Sequence, residues 1–279
     1  MERTAGKSLR TRRAMEQAIH LIFLLCGIVA VGFVLCISVY LVISGLPAIR
    51  EIGLTKFLFG KVWAPTNATT GPQFGILPFL LTSVYGTAGA QLLGVPVGLM
   101  TAIFLAKAAP PRLAAVIRTA VQLLAGIPSV VYGFFGLVLL VQFIRSSIGG
   151  NGLSMLAAII ILSIMILPTV ITITMDAINA VPREYREGAL ALGATPMHTL
   201  FSVVLPAAKK TILAGVVLGM GRAIGETMAV MLVSGNRPTM PGSVLDPIRT
   251  MTSNIALEMS YASGLHQEAL FATGVILFI

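Results

Sequence analysis

The chain has 279 residues, of which 56% are hydrophobic and only 10% charged, with a mean hydropathy of +0.94. That balance excludes a soluble domain of this length and points to a membrane protein. The net charge of +9 is therefore read for its sidedness across a bilayer, and no nucleic-acid partner is expected.

In chain order, residues 1–20 carry Arg3, Lys7, Arg10, Arg12 and Arg13. Such a basic segment is expected in the cytoplasm, ahead of an uncleaved membrane anchor. Crossing ~30 Å of hydrocarbon takes about 20 apolar residues in a helix. The pattern predicts crossings over about 21–44, 75–105, 118–143, 153–173 and 211–233. A sixth begins near Ala269, and its apolar run is only eleven residues long at Ile279, which reads as a last span left incomplete. The expected fold is an all-α, polytopic membrane bundle occupying 21–279, with no internal repeat and a charged cytoplasmic loop over 175–210.

Placing the N-terminus inside puts twelve of the nineteen Lys and Arg in the cytoplasm and six outside, with Arg222 inside a span. This bias favours that orientation. Two long outside segments follow from it, about 45–74 and 235–266. Asn67-Ala68-Thr69 matches a glycosylation acceptor, a tripeptide common by chance. Cys26 and Cys36 lie in the first span and read as buried thiols rather than a disulfide or metal pair. Pro96, Pro128 and Pro168 sit inside spans and should kink them, freeing carbonyls that neighbours or water must satisfy. Ser129, beside Pro128, could bond such a carbonyl or a ligand oxygen. His20 and His198 read as surface residues. His266 and Glu268 lack metal-ligand spacing, so no metal site is expected.

The charged loop has its own local grammar. Pro182 suits the first turn of a helix, and Tyr185, Gly188, Ala189 and Leu192 then form one small, partly apolar face. Arg183, Glu184, Arg186 and Glu187 lie mainly elsewhere, available to solvent or a partner. Gly193 suits a helix C-cap, and Thr195-Pro196 suits the start of a second short helix. Glu187-Gly188-Ala189, then Gly193, then Leu205-Pro206, resembles the "EAA" loop of ABC importer permeases, the cytoplasmic element through which a separate ATPase moves a membrane subunit. Gly188 stands at that pattern's first alanine position, a small-for-small change.

The fifth predicted span contains Arg222-Ala223-Ile224-Gly225-Glu226-Thr227. Arg222 lies about nine residues past Leu213, roughly 14 Å into the predicted helix and near mid-membrane. A charge there costs at least ~2.5–3.5 kcal/mol on insertion scales, so it should face the bundle interior or a wet cavity. Arg222 and Glu226 are one turn apart on one face and could pair. The alternative is an anion path: the guanidinium fork suits phosphate oxygens, Glu226 holds it or accepts a proton, and Thr227 adds a hydroxyl.

Gly221 to Val230 resembles the fifth-span signature of phosphate ABC importer permeases, and Ala125 to Gly133 resembles a second signature in their third span. Trp63-Ala64-Pro65 with Phe74-Gly75-Ile76-Leu77-Pro78 is similar to the outside segment of one of the two permease paralogues, usually called the C subunit. The likeness runs from about residue 20 to the end. It departs at Gln122, where the family is expected to have Glu. The resemblance implies a type I ABC importer permease fold in a bacterial inner membrane, with Arg222 and Glu226 needed for phosphate passage. It also implies a homologous second permease, a cytoplasmic ATPase dimer and an extracytoplasmic phosphate-binding protein as partners. No Gly-x-x-x-x-Gly-Lys-Ser/Thr loop is present, so the chain should not hydrolyse ATP, and ATP would be bound by a partner. Permeation of another oxyanion, or action as a self-sufficient channel or secondary transporter, stays open as an alternative.

Overall fold

A computed structural model describes residues 2–67, 69 and 71–279, with side chains described from residue 15 onward. Ala68, the middle of the Asn67-Ala68-Thr69 tripeptide, lies outside the described residues. Among the described residues, five helical stretches are long and apolar enough to cross a membrane: Met15–Ile52, Leu77–Ala108, Ser129–Ser147, Met155–Asn179 and Pro196–Gly225. A shorter apolar helix covers Leu265–Phe278.

The chain forms two compact units. The first contains helix α1 (Glu2–Ile52) and the last helix, α13 (Leu265–Phe278). Tyr40 of α1 and Phe271 of α13 meet edge to face with ring centroids 5.6 Å apart. Most of α1 is otherwise bare of protein, with Phe23 at 72% and Phe33 at 66% exposure. An apolar helix that buries little against protein is suited to lipid. Cys26 and Cys36 are exposed on it. The expectation of buried thiols is thus corrected, because apolar surroundings here mean lipid rather than a protein core.

The second unit, residues 52–262, begins with α2 (Leu54–Phe59) and a small antiparallel hairpin, β1 (Trp63–Ala64) with β2 (Gln73–Phe74). The long helices α3 (Leu77–Ile103) and α7 (Met155–Asn179) follow in chain order and form the centre of this unit, α3 packing along α7. Pro96 and Pro168 lie inside them. The hydroxyl of Ser163 on α7 donates to Ile159 O (2.6 Å) and Ala90 O (3.3 Å), tying the two helices together. Met165 and Ile166 of α7 form a buried cluster with Ile144, Val230 and Val233.

The third predicted crossing is corrected. Residues 118–143 are not one span: α4 (Pro111–Gly126) ends first, and α5 (Ser129–Phe135) begins a new helix. Ile127 is extended (φ −71°, ψ 128°), the conformation a residue preceding proline favours. Pro128 has no N–H to continue the ladder. It therefore breaks the helix instead of kinking it. The crossing itself is α5, a π-helical turn (Gly136–Leu140) and α6 (Val141–Ser147).

The fifth is corrected in the same way. Helix α10 (Leu205–Gly225) stops at Gly225, and α11 (Met228–Val233) restarts three residues later. Between α7 and α10 lie α8 (Arg183–Ala191), α9 (Pro196–Thr199) and a π-helical turn (Leu200–Val204). Another π turn, Phe104–Ala108, ends the α3 crossing.

The segment after α11 folds back and caps α7. The free N–H groups of Met155 and Leu156 in its first turn are taken by Asp246 O (3.0 Å) and Val244 O (2.9 Å), which meets the demand every helix N-terminus makes. Helix α12 (Met251–Glu258) closes this unit.

Candidate functional site

Two places carry the residues singled out above. The first is the pair of helix breaks. Gly133 of α5 sits so close to α11 that a Cβ there would come within 2.8 Å of Ala229 Cα and of Leu232 Cδ1. Only glycine lets these two short helices touch at that depth. Their contact brings the Pro128 break and the Glu226 break into one neighbourhood, and with them Ser129, Glu226 and Thr227. Tyr132 is the bolt: its hydroxyl reaches back across the Pro128 break to Leu124 O (2.8 Å). Ser129 is half-buried at the first position of α5 and makes no side-chain hydrogen bond among the described residues.

The break at Gly225–Thr227 is satisfied piece by piece. The Glu226 carboxylate accepts from Ala229 N–H (3.1 Å), capping α11 with a charge-assisted bond. Thr227 Oγ1 donates to Gly225 O (3.3 Å), and Thr252 Oγ1 on α12 donates to Glu226 O (3.1 Å). Arg222 occupies the last turn of α10, half-buried. The expected Arg222–Glu226 pairing is not made. Among the described residues Arg222 has neither an ion-pair nor a hydrogen-bond partner. The helix that would have stacked the two side chains ends between them, and Glu226 turns to its own cap. The result is a guanidinium that no protein group claims among the described residues. The next residues of the chain, Ala223, Ile224 and Glu226, line a small crevice together with Ser83, Thr87 and Thr250.

Sequence reasoning missed the supporting residues. Gln91 on α3 has its side-chain amide buried without a partner, close to α10 at Gly219. An amide in an otherwise apolar, charge-free stretch was the available signal. Arg249, half-buried, and Glu258, buried, form an ion pair at 2.6 Å. Arg249 also donates to Asn236 O (2.9 Å) and Asn254 Oδ1 (3.1 Å), and the Trp63 indole donates to Glu258 Oε2 (2.8 Å). This network anchors α12, and thus Thr252, to the hairpin. No local signal announces it.

The second place is the 180–204 segment. Helix α8 buries no residue. Tyr185, Leu192 and Met197 are exposed, Leu192 at 91%, while Glu187 and Gly188 also face outward and Ala189 is half-buried. Gly193 adopts φ +87°. Its N–H bonds to Leu190 O (2.9 Å), and Ala194 N–H bonds to Ala189 O (3.1 Å), the paired closure of a Schellman motif. Thr195 then caps α9 through His198 N–H (3.3 Å) with Pro196 in the first turn, as the sequence predicts. Leu205 and Pro206 belong to the first turn of α10, where Leu205 packs on Ile178, Leu200 and Val204. No group of three or more His, Cys, Asp or Glu able to hold a metal occurs among the described residues.

Membrane-length helices interrupted beside an unpaired cation, together with a solvent-facing pair of short helices between two crossings, fit the resemblance to an ABC importer permease read in the sequence. The sequence profile of the family described as "Binding-protein-dependent transport system inner membrane component" matches residues 94–279, and the chain belongs to that family. It is 38% identical over 277 residues to the probable ABC transporter permease protein YqgH of Bacillus subtilis, covering 98% of this chain and 89% of that one. It is 35% identical over 244 residues to the phosphate transport system permease protein PstC of Pasteurella multocida, covering 80% and 75% of the two chains. Among solved structures, the MetNI methionine ABC transporter in inward facing conformations matches with TM-score 0.58 and 19% identity, over 73% of this chain and 88% of that one. An amino acid ABC transporter matches with TM-score 0.54 and 22% identity, over 73% and 85%. At these identities the solved structures speak for the fold alone. The expectation of a polytopic, multi-pass permease bundle holds.

Proposed function

We propose that this chain is the permease subunit of an ATP-driven importer of inorganic phosphate, set in a bacterial inner membrane with its N-terminus in the cytoplasm. The observation that supports this best is the unpaired guanidinium of Arg222 at the broken end of α10, in a chain whose relatives include PstC proteins. A cation left without a protein acceptor in an apolar span is costly unless an anion or water serves it. A phosphate matches the planar fork of an arginine. In this reading Arg222 meets the passing anion, Glu226 fixes the start of α11 beside it, and Thr227 and Ser129 offer hydroxyls. The chain performs no chemistry itself. A cytoplasmic ATPase dimer binds ATP and closes, and α8 with α9 carries that motion into the bundle. A homologous second permease completes the path, and an extracytoplasmic binding protein delivers phosphate.

The test is reconstitution of the chain with its co-purifying subunits in proteoliposomes. ATP-dependent uptake of labelled phosphate is expected to resist excess sulfate and to vanish when the ATPase is omitted. Uptake that survives without the ATPase, or that sulfate suppresses as well as phosphate does, overturns the reading. Orientation is tested by His198→Cys in a background without Cys26 and Cys36, which an impermeant thiol reagent should label only from the cytoplasmic side.

A further inference from the structure

At the opposite end of α10 from Arg222, a cavity of about 130 Å³ opens where the π turn Phe104–Ala108, the π turn Leu200–Val204, α8 and α9 meet. That is far more than the ~10–15 Å³ one water requires. Its polar lining consists of Lys107, Arg186 and Thr199, and no carboxylate lines it. Neither Lys107 nor Arg186 has an ion-pair or hydrogen-bond partner among the described residues. Thr199 is 1% exposed, and its hydroxyl has no partner. A threonine in a helix ordinarily returns its hydroxyl to a carbonyl one turn back. Here that bond is unmade and the group stays buried, which costs free energy unless something else accepts it. Lys107 and Arg186 also line an adjoining cavity of about 620 Å³, where Arg183 adds a third cation and Glu187 is the one carboxylate lining it. Two like charges over one space, an unserved hydroxyl and two π turns, which are rare and gather at functional sites, all point one way.

We propose that this cavity binds a phosphate group, with Arg186 supplying a guanidinium fork, Lys107 an ammonium and Thr199 a hydroxyl donor. Free inorganic phosphate and the phosphomonoester headgroup of a lipid share this chemistry, and Lys107 lies at the end of a membrane span, within reach of either. The site uses none of the residues of the proposed transport path and does not rest on that reading. A ligand held here ties α8 to both π turns, so its occupancy sets how firmly the 180–204 segment is anchored.

The test uses the full chain in lipid nanodiscs, carrying Arg222→Gln so that binding in the proposed path does not contribute. One arm titrates radiolabelled inorganic phosphate into phosphatidylcholine discs by equilibrium dialysis. The other dopes the discs with phosphatidic acid and detects retained lipid by native mass spectrometry. Saturable binding in at least one arm is expected, weakened about tenfold or more by Lys107→Gln and by Arg186→Gln. Thr199→Val should weaken it several-fold while raising the melting temperature of the ligand-free protein, because it removes an unserved hydroxyl. Phosphate binding in the first arm identifies free phosphate, and retention in the second alone identifies a headgroup. No binding in either arm, or equal binding by wild type and the charge variants, overturns the proposal.

Discussion

The turn at Leu192–Thr195 and the break at Gly225–Thr227 both interrupt a helical run beside charged residues, yet they are held in opposite ways. The turn closes with bonds that never reach beyond a few positions: Gly193 and Ala194 to the end of α8, and His198 to Thr195. The break is held by Glu226 from within, by Thr252 from another helix, and by α5 through Gly133. A locally closed turn keeps its shape whatever the bundle does, which suits the docking surface proposed for it. A break held by several helices changes when those helices move, which suits the proposed role of Arg222 as a residue that meets an anion in one state and releases it in another.

The comparison can be broken at its distant end first. Glu258→Ala leaves the half-buried Arg249 without its carboxylate and the Trp63 indole without its acceptor. Breaking a fully buried pair typically costs ~3–5 kcal/mol, which is the upper bound here. The expected outcome is a large fall in melting temperature with loosening around Thr252, read as faster hydrogen exchange in α11 and α12. Unchanged exchange there would separate the Arg249 network from the break. Gly193→Val is the local counterpart: a side chain at φ +87° costs ~1–2 kcal/mol and distorts only the turn. Stimulated ATP hydrolysis and uptake should fall several-fold while global unfolding changes little, and normal coupling by a well-folded variant would contradict the docking role of α8 and α9. Tyr132→Phe removes the bolt to Leu124 O, worth about 1 kcal/mol, and should slightly destabilise the Pro128 break without abolishing transport.

These differences also explain what was legible in the sequence. The 180–204 segment was readable in detail because its determinants are local: Pro182, Gly193 and Thr195-Pro196 each act within one turn. The crossings were readable as apolar runs, but their interruptions were not. Residues 119–143 are uniformly uncharged, and a proline in such a run does not say whether it will kink or break the helix: α7 absorbs Pro168, while Pro128 separates α4 from α5. Gly225-Glu226-Thr227 contains no proline, so nothing local marked the stop that parts Arg222 from Glu226. Cys26 and Cys36 were misjudged because lipid and protein core look alike in composition. The Trp63–Glu258 bond spans 195 positions, beyond any pattern a single chain can show.

The central claim is that Arg222 is left unpaired by the protein in order to serve an anion. It is tested most directly by the initial rate of ATP-dependent phosphate uptake in proteoliposomes, measured for Arg222→Gln and normalised to assembled complex, with melting temperature alongside. The account predicts a loss of about 100-fold, of the size seen when an aligned donor to a charged group is removed. Melting should be unchanged or improved, since Glu226 keeps its bond to Ala229 and no partner is orphaned. Near-normal uptake would contradict the claim, and so would a melting loss as large as that of Glu258→Ala, because it would show Arg222 to be one half of a structural pair.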